Sequence, residues 1–155
     1  MQIIYKAVLF DLFGTLVDDE ANAIQGSKAC LSELRHGRWA IVTSCGKSFA
    51  RRLIAHAALP DPPVLVAADD VVRNKPAPDG YLLAAKALGV SPESALVVED
   101  SLQGIASARE AGMDVVAILR GRPPAFARAA TYTVARLSDL AFRSQNGEIV
   151  TDWSS

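Results

Sequence analysis

The chain has 155 residues, half of them hydrophobic and 21% charged, which describes one globular domain over residues 1–155 and excludes a disordered polymer. Its net charge of −1 excludes the basic surface that a general nucleic-acid binder needs, so no nucleic-acid partner is expected. Two cysteines, Cys30 and Cys45, are too few for a disulfide framework and fit a reducing, cytoplasmic setting; no apolar run reaches the ~18 residues of a membrane span.

The opening MQIIYKAVLF runs straight into Asp11 without a cleavage-type segment and reads as a first strand, with its apolar part over Ala7–Leu12. SKACLSELR follows as a helix with Leu31 and Leu34 on one side, then the strand Trp39–Thr43. KSFARRLIAHA is helical, with Phe49, Leu53 and Ala57 spaced i, i+4, i+8. The strand Val64–Ala68 leads to a helix that begins after Pro78 and stops at Gly89, a C′ glycine. Ala95–Glu99 is a strand, SLQGIASAREAG a helix ending at Gly112, and Val115–Leu119 a strand. In the tail, Asn146-Gly147 between two short strand-like runs signals a type I′ hairpin.

The strands are rich in Val, Ile and Leu without polar alternation, as strands buried on both faces are. Their regular exchange with helices predicts an α/β fold, a Rossmann-like doubly wound sheet of mostly parallel strands with helices on both faces and a C-terminal β-hairpin. Ligands of such sheets sit outside the carboxyl ends of the strands. There the sequence places Asp11, Thr43-Ser44 and Glu99-Asp100-Ser101, with Lys75 in the Pro-rich RNKPAPD loop before a helix.

Taken singly, each has a plain structural explanation. An Asp can end a strand as a turn residue, Thr43-Ser44 can cap the next helix, Lys75 can be solvated, and Glu99-Asp100 suits a helix dipole. Together they suit phosphoryl transfer. A carboxylate can attack phosphorus, paired carboxylates suit Mg²⁺, and an ammonium with hydroxyls can stabilise the transferring oxygens.

In that order, the residues resemble the haloacid dehalogenase-like hydrolase superfamily, in its branch of sugar-phosphate phosphatases and β-phosphoglucomutase-like enzymes. FDLFGTLVD resembles the first motif, AIVTS the second, RNKPAPDGYLLAAKALGV the third and VVEDSLQGIASAREAGM the fourth. The resemblance makes Asp11 the nucleophile, Thr43 and Ser44 phosphate-binding, and Lys75 the catalytic and phosphate-binding lysine. It implies Mg²⁺ on Asp11, Asp100 and the Phe13 backbone carbonyl, with Glu99 beside them, and a small phosphorylated metabolite as the substrate.

Two departures stand out. Phe13 occupies the place where the phosphatases carry a second Asp that protonates the leaving oxygen and then activates water. The halide-releasing members have an aromatic residue there, but not the Glu99-Asp100 pair. Losing general acid–base catalysis slows a reaction by about 10²–10⁴-fold, so a slow, Mg²⁺-dependent phosphatase is the leading expectation. The alternatives are an inactive binding domain and a 2-haloacid dehalogenase. The second departure is the short Leu16–Val42 interval, where relatives insert a helical cap. DDEANAIQGS reads as a shortcut, so no cap domain is expected, and the site should be open or covered by a second subunit of a homo-oligomer.

Overall fold

Strand β2 (Ala7–Phe10) is wholly buried and lies in the middle of a six-stranded parallel sheet. The computed structural model describes residues 1–154. The sheet also holds β3 (Trp39–Val42), β4 (Val64–Val66), β5 (Ala95–Glu99), β6 (Asp114–Ile118) and β7 (Tyr132–Val134), in the order β4-β3-β2-β5-β6-β7. The chain winds outward from β2 through β3 to β4. It then crosses to the other side of β2 and winds outward again. β2 and β5 therefore flank the point where the winding reverses, and a crevice opens at their carboxyl ends.

Apolar side chains alternate between two cores. Val8 and Phe10 of β2 face one, Ala7 and Leu9 the other. The first core is covered by α1 (Ser27–Glu33), α2 (Lys47–His56) and a small antiparallel sheet of β1 (Gln2–Tyr5), β8 (Leu140–Gln145) and β9 (Glu148–Trp153). The second is covered by α3 (Asp79–Leu88) and α4 (Leu102–Glu110). Phe10 joins the layers of the first core, meeting Trp39 and Phe142 edge to face at centroid distances of 6.5 and 6.0 Å.

The doubly wound parallel sheet, the helices on both faces and the hairpin follow the sequence reading. Asn146 and Gly147 have φ of 53° and 77°, the pair of positive angles that a type I′ turn requires. Gly89 and Gly112 close their helices at φ of 72° and 81°.

Two expectations are corrected and one strand is added. The first strand is two strands: exposed Lys6 separates β2 from β1, which pairs antiparallel with β9 in the small sheet. β7 was not foreseen, because three residues at a sheet edge carry too little periodicity to stand out. In α2 the buried stripe is Ala50, Leu53, Ile54 and Ala57, and Phe49 falls outside it, 47% exposed.

Between Thr15 and Thr43 no separate lid folds among the described residues. The Asp18 carboxylate accepts the Glu20 and Asn22 amides at 3.0 and 2.9 Å and closes a turn. The Ile24 amide and the Ser27 hydroxyl both donate to the Leu16 carbonyl, which brings the chain directly into α1.

The small sheet is anchored through Phe142, which is fully buried. Phe142→Ala should therefore cost about 3–5 kcal/mol, the usual range for removing a buried aromatic ring. Urea denaturation would read this as a lower midpoint at similar slope.

Candidate active site

The loop after β2 is wound tightly on one carbonyl. Leu12 accepts the amides of Thr15, Leu16 and Val17. Gly14 sits in this turn at φ 89°, where a Cβ would collide with the Asp100 carboxylate. Glycine thus lets the β2 and β5 loops touch. The Thr15 hydroxyl lies 3.2 Å from both Asp11 Oδ2 and Asp100 Oδ1 and donates its proton to one of them at a time.

At the floor is a buried ammonium. Lys75 Nζ donates to Asp11 Oδ1 and Glu99 Oε1, both at 2.7 Å, and to the Val42 carbonyl at 2.9 Å. All three of its protons are used, and the three acceptors lie at the ends of three neighbouring strands. Glu99 is fully buried. Its Oε1 also accepts the Tyr81 hydroxyl at 2.7 Å, while Oε2 accepts the Asp100 and Ser101 amides and the Ser101 hydroxyl. Ser101 Oγ in turn accepts the Gly104 amide and caps α4.

Burial pushes the Glu99 carboxyl above its ordinary pKa, and nearby Asp11 adds to this, while Lys75 and Tyr81 pull it down. Asp11 is also raised, first by burial and then by Asp100, against the pull of Lys75. For Lys75, burial alone would lower the pKa. The Asp11 and Glu99 carboxylates outweigh it and hold the ammonium charged. Burial, with Glu99 beside it, raises the Tyr81 hydroxyl well above its usual value, so it remains a donor.

Three carboxylates, Asp11, Glu99 and Asp100, offer oxygens within 4.8 Å of one another. They face one ammonium and the half-exposed Arg120, whose Nη1 donates to the Gly14 carbonyl at 3.0 Å and lies 3.6 Å from Asp100 Oδ2. Negative charge is thus in excess, and the donors are hard oxygens, which suits a small divalent cation. Glu99 is fully buried and accepts five protein donors, whereas Asp11 accepts at most two and Asp100 at most one, so the latter pair keeps more free lone pairs for an ion.

An open cleft of about 600 Å³ reaches Asp11 and Lys75, and Thr43, Ser44, Phe13 and Phe49 share its lining. The structure thus brings Asp11, Thr43, Ser44 and Lys75 to one cleft, with Glu99 and Asp100 joined to Asp11 beneath it. Thr43 and Ser44 do not cap α2. The Thr43 hydroxyl donates to Cys45 Sγ and accepts the Cys45 amide, both at 3.3 Å. Asp69 accepts the first α2 amide, from Lys47, in their place. Phe13 is not a core residue, being 49% exposed at the cleft.

The sequence reading missed the supporting residues Thr15, Tyr81 and Arg120. Tyr81 sits within an apolar helical pattern and gives no signal of a polar role. Arg120 lies in a loop and comes near the site only through the sheet order.

Gly104 lies against Glu99 so closely that a Cβ there would overlap its carboxylate. Gly104→Ala should displace Glu99 and lower stability by about 1–3 kcal/mol, the cost of overpacking. Thermal melting would show the loss, and Tyr81→Phe in the same background should add less than it does in the wild type.

The chain is similar in sequence and in fold to known proteins. Residues 15–118 match the family model described as haloacid dehalogenase-like hydrolase. Hexitol phosphatase A of Escherichia coli (strain K12) is 45% identical over 98 residues, covering 62% of this chain and 45% of that protein. A fructose-1-phosphate phosphatase of the same organism is 45% identical over 84 residues, covering 52% of this chain and 45% of that one. The chain thus spans less than half the length of these curated relatives. The solved CbbY of Rhodobacter sphaeroides, in complex with phosphate, superposes with a TM-score of 0.74 at 20% identity over 87% of this chain and 96% of its own, a likeness of fold. On its sequence and its fold, the chain belongs to the haloacid dehalogenase-like hydrolase family.

Proposed function

We propose that the protein is a Mg²⁺-dependent phosphomonoesterase for small phosphorylated metabolites of the sugar-phosphate kind, working slowly through an aspartyl-phosphate on Asp11. The observation that carries the reading is the Asp11 carboxylate. It is held by Lys75 at 2.7 Å at the head of an open cleft and stands within one carboxylate cluster with Asp100. The names of the relatives, phosphatases of hexitol and fructose phosphates, support the substrate class.

Asp11 attacks phosphorus, the bond from phosphorus to the ester oxygen breaks, and the oxygen leaves with the electron pair. Water then attacks the aspartyl-phosphate, the bond to Asp11 breaks, and inorganic phosphate is released, its proton going to solvent. Lys75 holds Asp11 in place and balances charge on the transferring oxygens. Thr43 and Ser44, on the cleft wall, take phosphate oxygens. Asp11, Asp100 and the Phe13 carbonyl would hold Mg²⁺, which supplies charge neutralisation when bound. Glu99 holds Lys75 and the Asp100 amide rather than the ion. Phe13 neither donates nor accepts a proton, so the leaving oxygen departs unprotonated.

The metal assignment is checked by calorimetric titration with Mg²⁺: Asp100→Asn should lose binding that the wild type shows, and equal affinity would refute it. The reaction is checked with Phe13→Asp. This variant should gain up to about 10²–10⁴-fold on alkyl phosphates, the usual worth of general acid–base catalysis. On p-nitrophenyl phosphate, whose leaving group needs no proton, the gain should be smaller if phosphorylation limits the rate. A folded, Mg²⁺-binding Phe13→Asp that hydrolyses no monoester would favour a non-enzymatic binding domain. Halide release from 2-chloropropionate would favour dehalogenation.

A further inference from the structure

Two aromatic rings stand half out of the protein at the cleft that reaches Asp11. Phe13 is 49% and Phe49 47% exposed, and neither joins either hydrophobic core. A lone exposed ring is ordinary on a protein surface; two on the wall of one polar cleft are not. They come from different elements, the loop after β2 and the first turn of α2. Arg52 lies 5.7 Å from the Phe49 ring centre, within cation–π range.

The remaining wall is poor in charge. Apart from Asp11 and Lys75, which are paired with each other, the lining side chains are Thr43, Ser44, Cys45, Ser101 and Gln103. Polyhydroxylated substrates are usually gripped by several charged or amide groups, and here Gln103 is the one amide. The cleft volume of about 600 Å³ lies within the usual range for small-molecule sites.

We infer that Phe13 and Phe49 form an aryl subsite, so that the cleft prefers aromatic phosphate monoesters, with the phosphate at Asp11 and Lys75 and the ring against the two phenylalanines. The inference rests on the phosphatase reading above, keeps its reaction and its site, and departs from its sugar-phosphate class in the group that carries the phosphate. A second, chemical argument agrees with the packing one. A phenolate leaves without being protonated, and among the described residues no carboxyl group other than Asp11 lines this cleft. The residue that removes the proton donor is also one of those that supply the ring surface.

The test uses the full chain with Mg²⁺ and two uncleavable probes of equal headgroup, phenylphosphonate and methylphosphonate, titrated by calorimetry. Ring–ring contacts contribute about two- to tenfold each, so phenylphosphonate should bind roughly tenfold more tightly. In Phe49→Ala and Phe13→Leu the phenyl-to-methyl affinity ratio should fall several-fold, and in the double variant approach one. Far-UV circular dichroism checks that the variants fold, which their exposed positions favour. Equal affinities in the wild type, no binding of either probe, or a full phenyl preference in the double variant would each overturn the inference. Turnover is read separately. A phenyl preference without hydrolysis of any monoester would overturn the phosphatase reading and leave the subsite standing. Hydrolysis with no phenyl preference would do the reverse.

Discussion

Lys75 is the residue on which the site depends. Its ammonium is almost wholly withdrawn from water, and a buried charge is tolerated only when its partners are complete. Completeness here means one acceptor from each of three adjacent strands: Asp11 beyond β2, Val42 at the end of β3 and Glu99 at the end of β5. The demand passes outward. Glu99, buried to satisfy Lys75, needs donors of its own and takes them from Tyr81, Ser101 and the Asp100 amide. Ser101 is thereby fixed as the cap of α4, and Gly104 must lack a side chain because the Glu99 carboxylate occupies that space. One cation thus sets the relative positions of the sheet, α3 and α4 at the cleft.

The sheet topology explains why these groups can meet. Parallel strands all present their carboxyl ends on one edge, and the reversal of winding beside β2 leaves a gap there that no crossover covers. The small antiparallel sheet serves this arrangement from a distance. By closing one apolar face through Phe142 and Trp153, it lets β2 be buried on both sides. A strand so enclosed has little freedom, and the carboxylate that follows it inherits that rigidity.

The mouth of the cleft contrasts with its floor. The floor is a network in which the charged groups have partners, whereas the mouth carries two rings and neutral polar groups. The turn closed by Asp18 leads the chain directly from Leu16 into α1, and no residue of the Leu16–Val42 interval lines the cleft. Water therefore has access to the site, and exclusion of water falls to whatever occupies the cleft.

The sequence by itself determined the architecture. Short runs rich in Val, Ile and Leu, bounded by turn residues, read as strands buried on both faces, glycines at helix ends and Asn146-Gly147 mark where the chain turns, and the polar residues at strand ends mark the candidate edge. It could not show that Gln2–Tyr5 leaves the strand of Ala7–Phe10 for another sheet, because four residues of local pattern carry no information about their distant partner β9. Nor could it reveal Tyr81, Thr15 and Arg120 as parts of the site, or place Phe49 in the cleft rather than in the core. Those roles were decided by tertiary structure, since a hydroxyl, a guanidinium or a ring acquires its role from the groups that packing brings to it, and for each of these residues at least one such group lies far away along the chain.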